Sequence, residues 1–369
     1  MFPKSGGLYV FLKNAYGDLF GFLYGWATLL VVTTGAIAAL CLGCATYINK
    51  IIPLGDGGMK LVAIGLIVTV TLINIRGVKF GELFSNVFTG LKLLGIAGLI
   101  ALAFVVSKIN IEEITKTSSL IEGNITGAVG LALIGVIFSY GGFQHASYLA
   151  GEAKDPIRTV PRAMIIGTII VTIVYFLTNL AYIQLLPIEE IAASSSVAAD
   201  AVETVLPIGG LLIAIIIAIS TFGTAGIYTM TSPRIYYAMA KDGNFFSALA
   251  KVSEKYRTPV FAILLQSAWA IVLLNFWETF ENLIAYVLFT DWIFMTLAAI
   301  SIFVFRIKRK DTPRPYKTLG YPVVPLIFIV LSIFVLVSTL IGEPSKAFAG
   351  LGILAIGTIV FFIFKSKKT

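Results

Sequence analysis

Two ionisable residues lie deep inside apolar stretches of this chain: Lys92 in TGLKLLGIAGL and Asp291 in YVLFTDWIFM. A charged side chain at membrane depth costs about 3 kcal/mol even on permissive scales, so such residues face a protein interior or a water-filled cavity. Lys92 is far from either end of its stretch, whereas snorkelling serves lysines near helix ends. At that depth it is equipped to gain and lose a proton. Asp291 either carries a proton, offsets a basic group, or bonds a neighbouring backbone group or water as structure. A third stretch, Phe138 to Glu152 (FSYGGFQHASYLAGE), places Ser139, Tyr140, a Gly-Gly pair, Gln144 and His145 within an apolar run. Irregular backbone at membrane depth survives only where protein buries it or where it lines a cavity. A glycine-interrupted span therefore points to a transporter binding site, and the alternative is a kinked helix packed through small residues. His145 fits packing better than titration. The hydroxyls of STFGT (Ser220, Thr221 and Thr224) either back-bond to their own helix or coordinate an ion or an ammonium group.

The elements that must position these residues follow from composition. The chain has 369 residues, of which 58% are hydrophobic and 12% charged, and its mean hydropathy is +0.95. Soluble domains carry about twice that charge. Apolar runs of about 20 residues, each long enough to cross a bilayer, follow one another. They are continuous rather than alternating, which excludes a β-barrel. The reading is an all-α polytopic membrane protein with ten spans, near 18–47, 59–75, 83–106, 127–150, 163–186, 208–232, 259–277, 283–305, 323–341 and 347–364.

The net charge of +8 does not mark a nucleic-acid partner, because the bases sit in short loops between spans. With Met1 to Gly17 inside and the loops alternating, the inner segments hold Lys4, Lys13, Arg76 and Lys79. They also hold Lys154, Arg158, Arg162, Arg234, Lys241, Lys251, Lys255 and Arg257. Arg306, Lys308, Arg309, Lys310, Arg314 and Lys317, together with Lys365, Lys367 and Lys368, complete the inner set. The outer segments hold only Lys50, Lys60, Lys108, Lys116 and Lys346, a bias of roughly four to one that places both termini in the cytoplasm. Outer acids Glu189, Glu190, Asp200 and Glu203 share a loop with no base. Cys41 and Cys44 (CLGC) lie inside an apolar span and read as buried small hydrophobes rather than a redox pair. Glu152, Asp155, Arg158 and Arg162 crowd one inner loop, either solvated or as a cytoplasmic gate. Asn124-Ile125-Thr126 is a glycosylation sequon on the outer side. No nucleophile–base set, phosphate loop or metal-ligand spacing is present in the sequence, so an enzyme, a metal and a cofactor are not expected.

Four stretches carry a family resemblance. FPKSGGLYVFLKNAYGDLFGFLYGW resembles an inner loop and third helix, and VFTGLKLLGI resembles a fifth helix with its lysine. FSYGGFQHASYLAGEAKDPIRTVPRAM resembles a sixth helix and the loop after it, and ISTFGTAGIYTMTSPRIYYAMAKDG an eighth helix and amphipathic inner loop. The family is the amino acid–polyamine–organocation superfamily, near its L-type and prokaryotic amino acid permeases. The resemblance implies a leucine-transporter-like inverted repeat of five plus five helices with two appended, in one permease domain over 1–369. About ten of twelve spans are expected, the chain starting where the family's second helix ends. Phe138 resembles the aromatic gate. Ser139, Tyr140, Gly141, Gly142 and Phe143 resemble the unwound segment whose backbone takes the substrate amino group. Lys92 resembles the lysine that stands in for a sodium ion and reaches toward Ser220 and Thr221, and Asp291 joins these as a coupling residue.

The expected function is secondary active transport of neutral amino acids across the plasma membrane, by sodium-independent proton symport or exchange. Substrate is expected to be neutral because FSYGGF carries no charge. The competing expectation is a non-transporting remnant that needs a missing N-terminal segment or another polypeptide. An accessory subunit is the remaining partner the resemblance raises, beside the amino acid and the bilayer.

Overall fold

A computed structural model of the protein describes residues 6–106, 125–148, 150, 153–276, 279–314 and 316–366. Its regular elements are helices, and no strand occurs among the described residues. Eight are long and apolar enough to cross a membrane: Asp18–Ile51, Gly57–Ile75, Asn86–Val106, Pro156–Leu185, Gly209–Lys241, Asn282–Lys308, Val323–Gly342 and Pro344–Lys365. Two shorter apolar helices, Ile125–Tyr140 and Val260–Phe276, fall where the fourth and seventh spans are expected.

In chain order, α1 is Leu8–Tyr16 and α2 is Asp18–Ala27. A π-turn at Thr28–Val32 joins α2 to α3, Thr33–Ile51. Next come α4 (Gly55–Ile75), α5 (Val78–Val106), α6 (Ile125–Tyr140) and the short α7 (His145–Tyr148). The chain continues with α8 (Pro156–Leu185), α9 (Ile188–Ala193), α10 (Val197–Glu203), α11 (Gly209–Thr231) and α12 (Pro233–Lys241). It ends with α13 (Val260–Phe276), α14 (Phe280–Lys308), α15 (Val323–Gly342) and α16 (Pro344–Ser366).

The α2–α3 element is the most buried span and the centre of the bundle, packed by α4, α11, α13 and α14. Its sequence explains this place. Lipid tails are as apolar as leucine, so helices associate in a bilayer through close packing, which favours small residues. TTGAIAALCLGCA supplies them, and Ala36, Ala38, Ala39, Cys41 and Ala45 are buried. A Cβ at Gly35 would lie 2.3 Å from Val287 Cγ2, so glycine there sets the approach of α14. Both thiols are free and buried, and Cys44 Sγ donates to the Ala218 carbonyl at 3.1 Å. The outer helices read the opposite way. On α8, Ile165, Ile166, Ile169, Ile170, Ile173 and Phe176 are exposed, an apolar face fit for lipid.

A π-turn releases carbonyls from the regular helical ladder. Here other helices satisfy them. Tyr236 donates to the Thr28 carbonyl at 3.3 Å, and Trp269 Nε1 donates to the Leu30 carbonyl at 2.7 Å. The start of α8 is set by Asp155, whose side chain accepts from the Arg158 N–H, with Pro156 at the first helical position.

Charged contacts cluster at the two ends of the long α2–α3 element, which spans about 50 Å at the helical rise. Near its start, Asp242 accepts from Lys13 at 2.6 Å and from Tyr9 at 2.8 Å, and Asn244 donates to Asp18 at 3.2 Å. Burial first, then the bond to Asp242, push the Tyr9 phenol up to about 12. Lys308 and Arg309 reach the same end, donating to the Ala15 carbonyl and to Asn14 Oδ1. Near its far end, Lys50 pairs with Asp200 of α10 and donates to Ser196 Oγ at 2.8 Å. The acidic loop that holds Asp200 therefore takes its base from a neighbouring element. The sequon residue Asn124 and the gate residue Glu152 lie outside the described residues. Asp155 and Arg158 lie 4.0 Å apart within one turn, so this pair caps a helix rather than bridging two.

Candidate functional site

The helix carrying the glycine pair stops where a binding break is expected, though later than the resemblance implies. α6 runs through Ser139 and Tyr140, and the turn occupies 141–144 before α7 begins. Ser139 and Tyr140 are therefore helical, a correction to the unwound segment expected from Ser139. The cause is local. Ser139 Oγ back-bonds to the Gly135 carbonyl at 2.8 Å, and Tyr175 of α8 donates to the Ser139 carbonyl at 2.8 Å. Tyr140 packs its ring against Tyr175, with centroids 5.3 Å apart. The turn itself needs Gly142, whose φ is +101°. Gln144 holds it closed, its Oε1 accepting from the Gly142 N–H at 3.0 Å.

A pocket lies against this break. The break contributes Gly141, Phe143 and Gln144, the last turn of α6 contributes Ile137 and Phe138, and α11 contributes Tyr228. Val32 and Ala36 come from the π-turn and the start of α3. The rest is one face of α14, namely Val287, Leu288, Asp291, Trp292 and Met295, spaced three and four apart as a helix requires. Of the six residues implied to bind substrate, Phe138, Gly141 and Phe143 line the pocket. Ser139, Tyr140 and Gly142 do not. Gln144 is a lining residue that the sequence reading named in the break, whereas Tyr228 and Trp292 are lining residues that it did not single out.

Asp291 lies in this lining. It is 9% exposed, and its Oδ1 has no hydrogen-bond partner among the described residues. His145 sits just beyond the break and is satisfied by packing, as expected. Its Nδ1 is 2.5 Å from Thr231 Oγ1, and its ring meets Tyr148 and Tyr228 at centroid distances of 4.9 and 4.3 Å. Tyr148 and Tyr24 share a hydrogen bond of 2.7 Å, which ties α7 to α2.

Lys92 lies apart from the pocket, between α5 and α11. The two helices approach closely because residue 223 is glycine. A Cβ there would lie 2.6 Å from Phe88 Cβ. The half-buried Lys92 donates to Thr224 Oγ1 at 3.2 Å, and Thr224 in turn donates to the Ser220 carbonyl at 2.9 Å. Thr221 back-bonds to the carbonyls of Ile217 and Ala218. The lysine thus meets the third hydroxyl of STFGT, one turn from where Ser220 and Thr221 would place it. Among the described residues, no group of three or more His, Cys, Asp or Glu could hold a metal ion.

A helix broken beside a pocket inside a polytopic bundle, with a lysine bridging two further spans, defines a membrane transporter. The pattern of the amino acid permease family matches residues 1–364. The chain belongs to that family, within the amino acid–polyamine–organocation superfamily. It is a multi-pass transporter rather than an enzyme, and amino acids are its cargo. Relatives include the b(0,+)-type amino acid transporter 1 of Mus musculus, 30% identical over 100% of this chain and 76% of its own. The serine/threonine exchanger SteT of Bacillus subtilis is 32% identical over 99% of this chain and 83% of its own. The large neutral amino acids transporter small subunit 2 of Oryctolagus cuniculus is 32% identical over 98% of this chain and 68% of its own.

Proposed function

We propose that this chain, a single permease domain, carries neutral amino acids across the plasma membrane without sodium, by exchange or proton symport. Both termini lie in the cytoplasm on this reading, which rests on the loop charges. The observation that carries the proposal is the pocket against the 141–144 break, where Phe138, Gly141 and Phe143 meet α14. FSYGGF offers no charge to a substrate side chain, which favours neutral cargo. The unwound backbone next to the pocket can take an amino group, and Phe138 can close over it.

Lys92 is the bridging group. Its ammonium on Thr224 holds α5 to α11 with a positive charge, where a sodium-dependent transporter would need a bound ion. Asp291 belongs to the coupling set because an intramembrane carboxyl is expensive unless it serves a proton or a ligand. Exchange is supported by one relative named as an exchanger, and neutral cargo by another named for large neutral amino acids. The latter is also named a small subunit, which supports an accessory partner for this chain.

Counterflow separates the two coupling modes. Liposomes holding the purified chain, loaded with unlabelled amino acid, are assayed for labelled uptake with and without an inward proton gradient. Uptake that follows internal amino acid identifies exchange, and uptake that follows the gradient identifies symport. A strict need for external sodium overturns both.

A further inference from the structure

The exposed apolar stripe of α4 ends on a cation. Leu61, Gly65, Val68 and Leu72 are exposed, and Arg76 follows at the same helical spacing, also exposed and with helical backbone. Ala63, Ile67, Val70 and Thr71, on the opposite face, are buried. α13 lies beside α4, joined to it by a buried bond of 2.7 Å from Thr71 Oγ1 to Ser267 Oγ. It repeats the arrangement: Phe261, Leu264, Leu265 and Ala268 are exposed, and the basic segment 251–257 comes just before it. Two neighbouring helices therefore carry apolar stripes that run up to the same charged end.

That end has a fixed backbone. Thr258 Oγ1 donates to the Ile75 carbonyl at 3.0 Å, which sets Arg257 and Arg76, their chain neighbours, close together. The Ser253 N–H donates to the Thr258 carbonyl at 2.9 Å, and the Arg257 N–H to the Ser253 carbonyl at 2.8 Å. Arg257 is the one non-glycine residue with a positive φ, +54°, among the described residues. That conformation costs about 1–2 kcal/mol in a residue with a Cβ, whereas glycine adopts it freely. Strain held at an exposed position points to a use for the side chain. Arg76, Lys255 and Arg257 are exposed and have no ion pair among the described residues, and Glu254 is the one acid in the segment.

We propose that the α4–α13 seam binds an anionic phospholipid, its phosphate at Arg76 and Arg257 and an acyl chain along the two exposed stripes. Guanidinium groups match phosphate oxygens in charge and in fork geometry. A zwitterionic headgroup brings its own ammonium, so the unpaired cations favour a lipid with net negative charge. A soluble phosphate satisfies the arginines but leaves the apolar stripes unused. On the orientation given by the loop charges, this end faces the cytoplasmic leaflet, where anionic lipids gather.

Thermal unfolding of the purified full chain in detergent tests the site without any substrate, so its outcome is separate from the transport reading. Phosphatidylglycerol is added in one arm, phosphatidylcholine with the same acyl chains in a second, and glycerol 3-phosphate in a third. A ligand that binds only the folded chain raises Tm. Phosphatidylglycerol is expected to raise the wild-type Tm by several degrees more than either of the others. Arg76→Gln with Arg257→Gly removes both charges and relieves the backbone strain, and it should abolish that difference. Lys310→Gln with Lys317→Gln removes two exposed charges from another loop and should leave it intact. Equal shifts from the two lipids overturn the site, and an equal shift from glycerol 3-phosphate replaces the lipid with a soluble phosphate. A response that survives the arginine pair, or that the lysine pair abolishes just as fully, overturns the placement at the seam. The three wild-type arms decide the lipid assignment even if the arginine pair fails to fold.

Discussion

Lys92 Nζ lies 3.2 Å from Thr224 Oγ1, and this bond joins two spans that Gly223 allows to touch. An ammonium in an apolar span is costly without such a partner. Lys92→Met keeps the length and removes the charge. It is expected to abolish sodium-independent uptake, and Thr224→Val to reduce it several-fold while the protein stays folded. Uptake assays beside thermal unfolding in detergent check both. Wild-type uptake in Lys92→Met would remove the lysine from the account.

Gly223 is the steric condition for that contact. A larger side chain must push α5 and α11 apart, and overpacking typically costs about 1–3 kcal/mol. Gly223→Leu is expected to lower stability by about that much and to reduce uptake together with Thr224→Val rather than additively, since both break one contact. A double-mutant comparison of uptake rates reads the coupling.

Gly142 tests the break separately. Its φ of +101° lies where side chains are strained, and the nearest atom to an added Cβ is the Tyr228 hydroxyl at 3.9 Å. The cost of Gly142→Ala is therefore backbone strain rather than a clash, about 1–3 kcal/mol. Gly135, in the middle of α6, meets nothing within 4 Å. Gly135→Ala should be neutral or slightly stabilising, so the pair separates the turn from the helix in one unfolding experiment.

At the far end of the long helix, Asp200 links α10 to Lys50. Burial opposes its charged form, but the bonds from Lys50 and Ser194 outweigh it and hold the carboxyl below its usual value. A depressed carboxylate stabilises the fold above its unfolded value, near 4, and that contribution is lost as pH falls through the folded value. Asp200→Asn should therefore cost up to about 1 kcal/mol at pH 7, as a partly exposed pair does. The difference from wild type should shrink as pH falls through that lowered value and vanish once the carboxyl is protonated in both folded and unfolded chains. A difference that persists in acid would mean the carboxylate's charge is not what matters.

The spans were legible because hydropathy and loop charge are properties of composition. Eight of the ten reappear as long helices, and the two shorter ones are apolar helices in the expected places. The π-turn at Thr28–Val32 was not legible, since no proline or glycine lies within it and its carbonyls are satisfied by Tyr236 and Trp269 from distant helices. The glycine pair located the break. Its start depended on Tyr175, 36 residues away, which holds Ser139 in the helix. Asp291 stood out as a charge among apolar residues, but Trp292 did not, because a lining face and a packing face share the same helical spacing. Which STFGT hydroxyl meets Lys92 depends on the rotation of α11, which its own sequence does not display.

The central claim is sodium-independent transport of neutral amino acids with Lys92 as the bridging charge. Its most direct test is uptake of labelled threonine into liposomes holding the purified chain, with sodium replaced by choline on both sides. The account predicts saturable uptake in the wild type and none above protein-free liposomes in Lys92→Met. Uptake that appears only when sodium is restored, or that Lys92→Met leaves unchanged, would contradict it.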